Sequence, residues 1–423
     1  MDIPIAIQTA CTKNRAEEFG FDVWEHFVIP FFYDLLDLRE TQKPTVVIGG
    51  RGCGKTMLLR YLSHDSAFSA KKSHIQEFEL SRIGVYWKAD TQFASALTGR
   101  GLPADVWESV FNHKIALVVS AEILRSLESV ARSQCRAVTE DDLTRINFDD
   151  LASFGEAYRG DIRSLAKCLR QKERSLQLWV NNPRNSSVAR PVFLPGCDFI
   201  RAVIEEVKTQ LPAFAQSTYF VYVDEFENLL PDQRRIINTF LKHSERPLIF
   251  NIAMKRDPLQ IIETVGDQSV ENVADYRVHD LDGYLLDPTF TLFAAELLLF
   301  RFAHFGASSL PINVNDLRDP KFLERRRQPA YGESVVSVAR GVFPGLTHTQ
   351  LAERAFSESA ICNRIKKEFE RAIATRNSTL RPEDFYRPEY GQATIVASSL
   401  VHRGNLDHAA QGNGVFLPTD PIG

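Results

Sequence analysis

Residues 48–58 read IGGRGCGKTML, eleven residues of which four are glycine, with Lys55 following the last glycine directly. Gly49, Gly54, Lys55 and Thr56 fit the spacing G-x-x-x-x-G-K-[ST] of a phosphate-binding loop. That chemistry needs those residue types. Glycines let successive backbone N–H groups curl around phosphate oxygens where a side chain would block the approach. A helix starting at Lys55 adds its positive end. The spacing predicts that Gly49, Gly50, Arg51, Gly52, Cys53, Gly54, Lys55, Thr56 and Met57 cradle the nucleotide. Lys55 would reach the β- and γ-phosphates, and the Thr56 hydroxyl would bind Mg²⁺. The flanks agree: TVVI (45–48) reads as a buried strand and MLLRYL (57–62) as a helix.

Such a loop needs an acid from a neighbouring strand. TYFVYVDEF (218–226) is the strongest strand pattern in the chain, β-branched and aromatic, and it ends in acid. Asp224 is expected to hold the metal with Thr56, and Glu225 to orient and deprotonate an attacking water. The acid pair points to hydrolysis rather than phosphoryl transfer to a second substrate.

Further strands are expected at IGVYWKAD (83–90), PLIFNIAM (247–254) and YRVHDL (276–281). Helices are expected at 114–133, 231–243, 259–266, 288–305 and 350–376. Strands alternating with helices over 45–281 predict an α/β parallel sheet flanked by helices. The expected divisions are a helical entry segment (1–44) and an ATPase core (45–285) with a mainly helical insert near 135–195. A C-terminal helical region (286–385) and a loosely ordered tail (386–423) follow. Residues 14–40 read as an amphipathic helical entry, with Trp24, Phe27, Val28, Phe31, Phe32 and Leu35 recurring at helical spacing and Pro30 as an expected break. The tail could also be the cut edge of a longer protein.

The 423 residues carry a net charge of −4, so no overall charge demands a nucleic acid or membrane. Six cysteines form no C-x-x-C pair, which reads as free thiols in a reducing compartment. The first residues lack a signal-peptide pattern, and the greasiest run, FTLFAAELLLF (290–300), is too short to span a bilayer. A cytoplasmic location is expected. Local charge differs from the average. Arg159, Arg163, Lys167, Arg170 and Arg174 step by three or four and would line one helical face over 159–174. That face could follow a nucleic-acid backbone, meet an acidic partner, or stay solvated.

Taken together, KNRAEEFG (13–20), IGGRGCGKT and VYVDEFENLL (221–230) resemble an AAA+ P-loop ATPase of the ORC-like branch, most closely its bacterial members of poorly defined role. The likeness covers roughly 13–285. It implies ATP and Mg²⁺ as ligands and an adenine pocket lined by Asn14, Arg15 and nearby backbone. It implies a polar sensor toward the end of the strand at 247–254, at Asn251, which sits early in it, or at Lys255 and Arg256 beyond it, and an arginine finger from a neighbouring subunit, at Arg256 or Arg277. A homo-oligomer, or a separate effector protein as in bacterial antiphage systems, is the implied partner. The C-terminal winged helix of ORC-like DNA loaders has no persuasive counterpart; its place holds only a short basic cluster, LERRRQ (323–328).

Overall fold

The computed structural model describes residues 16–36, 43–256, 263–265, 270, 274–285, 289–304, 310–342, 356–357, 359–375 and 381. Five strands carry the fold: β1 (Thr45–Ile48), β2 (Arg82–Lys88), β3 (Thr218–Asp224), β4 (Leu248–Met254) and β5 (Arg277–Asp280). They form one parallel sheet in the order β2-β3-β4-β1-β5. The sheet is α/β and of P-loop type, as its sequence pattern predicts.

Every residue of β3 and β4 is buried, so both strands read as continuous apolar runs rather than alternating ones. Successive side chains still part to opposite faces. Val46, Val85, Val221, Val223, Phe250 and Ile252 enter one core. Val47, Tyr86, Phe220, Tyr222, Ile249 and Ala253 enter the other.

The first face is covered by the long excursion between β2 and β3. Its helices are α2 (Thr91–Ala96), α3 (Ala104–Arg132), α4 (Ile162–Asn181) and α5 (Gly196–Gln210), joined by α6 (Pro231–Lys242) after β3. From the segment expected as an insert near 135–195, Leu143, Phe148, Leu165, Leu169, Leu176 and Trp179 share the core of the sheet.

Helix α1 (Lys55–Leu62) and the entry segment cover the second face. The expectation of an amphipathic helix there is corrected. Residues 16–36 form three short 3₁₀ turns, Ala16–Phe19, Trp24–His26 and Tyr33–Leu36. Phe27, Ile29, Phe31, Tyr33 and Leu36 are buried, whereas Leu35 is exposed. Pro30 forbids a continuous helix, and an extended strap can lay more aromatic surface along a sheet than one helix face.

After β5 come α7 (Leu281–Leu285), α8 (Phe290–His304), α9 (Pro329–Val342) and α10 (Ser359–Thr375). The basic cluster at 323–328 is consumed internally. Arg326, 1% exposed, donates to both oxygens of the fully buried Glu296 at 2.9 and 2.7 Å and to the Ile29 carbonyl at 2.9 Å. Arg325 pairs with Asp316 at 2.8 Å, and Arg327 donates to the Phe31 carbonyl at 2.9 Å. Removing one member of a buried ion pair such as Arg326–Glu296 costs about 3–5 kcal/mol, and Arg326 and Arg327 tie the strap down through the Ile29 and Phe31 carbonyls.

The chain divides into two compact units, Met1–Val336 and Ser337–Gly423. The division falls inside the region expected as one C-terminal helical block. The expected helix at 259–266 and the tail at 386–423 lie wholly or mostly outside the described residues. No helix among the described residues is long and apolar enough to cross a membrane.

Candidate functional site

In an open parallel sheet, ligands bind beyond the carboxyl ends of the strands. Register places Ile48 beside Met254 and Asp280, and Lys88 beside Asp224, so all five strands end along one edge. The glycine-rich loop leaves β1 at that edge. Gly54 has φ +95° and Gly52 φ +85°, conformations that disfavour a side chain. A Cβ on Gly49 would lie 2.6 Å from the Cys53 sulfur. The loop ends at the N-terminus of α1, whose first amides carry the helix's partial positive charge.

Lys55 folds back over the loop: its Nζ donates to the carbonyls of Gly49 and Gly50, both at 2.7 Å, and lies 3.6 Å from Cys53 Sγ. Burial pushes the Cys53 thiol up, so this cysteine stays protonated.

Thr56 Oγ1 donates to Asp224 Oδ2 at 2.7 Å, joining residues 168 apart across the intervening strand β4. The Tyr86 hydroxyl donates to the same oxygen at 2.9 Å. Burial first, then the Asp224 charge, push the Tyr86 phenol far above its usual range, so it remains a donor. Asp224 Oδ1 accepts the Glu225 amide at 2.9 Å. Hard oxygen donors of this kind suit Mg²⁺ shared with phosphate, which takes only one or two protein oxygens. No group of three or more His, Cys, Asp or Glu is assembled among the described residues.

Glu225 sits in the left-handed region at φ +54°, a strained conformation for a non-glycine residue and a recurrent feature of reactive sites. Its carboxylate is held from two sides. Lys88 Nζ lies 3.1 Å from Oε1, and Asn228 Nδ2 donates to Oε2 at 2.8 Å.

The other residues that the sequence singles out fall elsewhere. Asn251 is corrected: it lies mid-strand and 3% exposed, opposite Tyr222. Its Oδ1 accepts the Thr45 amide at 2.9 Å, which caps the start of β1 at the far edge of the sheet. It satisfies strand backbone and does not face the loop. Arg277, opposite Thr45, starts β5 at that same far edge, roughly 10 Å along the strand from the loop. Arg256 is closer: it follows β4, pairs with Asp280, and lies 3.9 Å from Asp282. Asp282 Oδ2 in turn accepts the Gly50 amide at 2.7 Å. Asn14 and Arg15 lie outside the described residues.

The basic stretch is part helix, part turn. Asp161 caps α4, accepting the Ser164 amide at 2.8 Å, so Arg159 precedes the helix and pairs with Asp149 at 2.8 Å. Arg163, Lys167, Arg170 and Arg174 are exposed along one side of α4, and none makes an ion pair or hydrogen bond among the described residues.

Sequence patterns alone did not single out Tyr86, Lys88, Asn228 and Asp282. Tyr86 and Lys88 carried a usable signal: two polar groups two residues apart at the end of an apolar strand share one face and reach the acid edge together.

The sequence model of the ORC-CDC6-like family matches residues 10–396. No curated protein and no solved structure gives a match.

Proposed function

The chain belongs to the ORC-CDC6-like family of AAA+ ATPases, and on that premise we propose that it binds ATP with Mg²⁺ and hydrolyses it slowly, as a switch. The observation that carries this reading is the 2.7 Å bond from Thr56 to Asp224, which brings the loop and the strand acid to one point. Mg²⁺ there would neutralise phosphate charge and polarise the reacting phosphoryl group. Thr56 and Asp224 would hold it, with Tyr86 keeping the Asp224 carboxylate turned toward the site. Lys55 would exchange its two loop carbonyls for phosphate oxygens, while loop amides from Gly52 to Thr56 would bind the rest of the tail. Glu225, released from Lys88, would accept the proton of the attacking water.

Output then passes to a partner. A second copy of the chain or a separate effector protein fits a switch of this kind, as in the antiphage systems that the family resemblance implies. A DNA-associated role draws on a different observation: four unpaired cations along about 16 Å of α4, spaced to follow a phosphate backbone.

Phosphate release with Mg²⁺ tests the enzymatic reading. The parent is expected to turn over, and Lys55→Ala to fall at least a hundredfold, with ATP bound at least tenfold more weakly. A variant working at the parental rate would show that the site is assigned wrongly.

A further inference from the structure

Lys88 has a second acidic neighbour that the reaction does not require. The Glu17 carboxylate lies 2.8 Å from its Nζ, and that of Glu225 3.1 Å. One ammonium thus bridges the entry segment and the acid edge of the sheet. Glu17 is not there by chance of a floppy chain end. Arg60, on the helix that begins at the phosphate loop, is 5% exposed. Its Nη1 donates to the carbonyls of Ala16 and Gly20 at 2.8 and 2.7 Å, bracketing Glu17 on both sides. The same guanidinium packs 5.2 Å from the centres of the Phe21 and Tyr86 rings. So the helix that would hold phosphate also fixes where Glu17 stands.

We propose that Glu17 is a positioning residue for the hydrolysis proposed above. It competes with Glu225 for the Lys88 ammonium and so limits how firmly Lys88 restrains the carboxylate that must turn to the attacking water. An ammonium shared between two carboxylates binds each less tightly than it would bind one alone. Without Glu17, Lys88 would rest wholly on Glu225, and releasing that carboxylate for each turnover would cost more. Any partner that lifts the entry segment would have the same effect, so lifting the segment would brake turnover from outside the site.

The protonation preferences agree. The bond to Lys88 is the main force holding the Glu17 carboxyl below its usual range. Burial works against the Lys88 charge, but Glu17 and Glu225 together still raise it.

The inference rests on the ATPase reading, so it is tested by one readout that depends on turnover and one that does not. In full-length protein, Glu17→Gln should lower kcat about two- to fivefold, the scale of a partly exposed ion pair, with KM for ATP unchanged. In a Lys88→Met background the same substitution should change nothing further. Without nucleotide, Glu225→Gln should slow amide exchange in the peptide covering residues 16–22 about twofold, because Lys88 then rests on Glu17, and Lys88→Met should cancel that slowing. A parent without turnover that still shows the exchange coupling would sink the ATPase reading and uphold the competition. A kcat fall that persists without Lys88, an unchanged kcat in an active parent, or exchange indifferent to Glu225→Gln would each overturn the role of Glu17.

Discussion

The carboxyl edge of the sheet and the outer side of α4 are both rich in charge, yet they treat it oppositely. At the edge every reactive group is already engaged. Lys55 holds loop carbonyls, Asp224 accepts from Thr56 and Tyr86, and Glu225 is shared by Lys88 and Asn228. On α4 four cations make no ion pair or hydrogen bond among the described residues. The first arrangement is preorganised: its bonds must be exchanged one for one with a ligand, which favours a specific small anion and a metal. The second is an open charge field that any polyanion of suitable spacing could occupy, and its worth depends on salt.

The contrast can be sharpened from beneath α4. His113, on α3, is fully buried. Its Nδ1 accepts the Leu194 amide at 3.0 Å, and its Nε2 is buried with no partner. Burial, with the Lys172 charge as the lesser cause, lowers its pKa to about 4. The unfolded chain binds that proton near pH 6.5, so this group's contribution is complete above 6.5 and is lost as pH falls through the window to 4. Urea unfolding should therefore show about 2 kcal/mol less stability at pH 5 than at pH 7 from this residue. His113→Gln should flatten that slope; an equal slope in the variant would mean that α3 does not hold a neutral histidine under the basic helix.

A smaller effect tests the open field directly. Reversing Arg163, Lys167 and Arg170 to Glu should weaken binding of a DNA duplex by about tenfold at 50 mM salt and flatten its salt dependence, with ATP turnover untouched. Duplex binding that is absent in the parent at low salt, or unaltered in the variant, would leave α4 as a solvated face and remove the difference between the two regions.

Much of the edge was legible because its chemistry is local. Four glycines before a lysine, and an aspartate closing an apolar strand, state their roles within a dozen residues. The loop's register with β3 could be inferred since both motifs sit at strand ends. What stayed hidden depends on side chains meeting across the fold. Asn251 is a polar residue inside an apolar strand, but only the β4–β1 register reveals that it caps Thr45. The aromatic spacing of 24–35 imitates a helix while the chain runs as a strap, since its rings are placed by the sheet beneath and not by their own periodicity. Arg326 looked like part of a surface cluster, and its partner Glu296 stands inside the greasiest helix, where sequence suggests no salt bridge. Lys88 and Glu17 are 71 residues apart and meet only because Arg60 fixes the entry segment.

The central claim, that Glu225 acts on water while Thr56 and Asp224 hold the metal, meets its most direct test in one variant. Glu225→Gln protein, mixed with radiolabelled ATP and Mg²⁺ and passed over a desalting column, should retain intact ATP with the parent's affinity and release phosphate at least a hundredfold more slowly. Retained ADP with free phosphate at the parental rate would contradict the account.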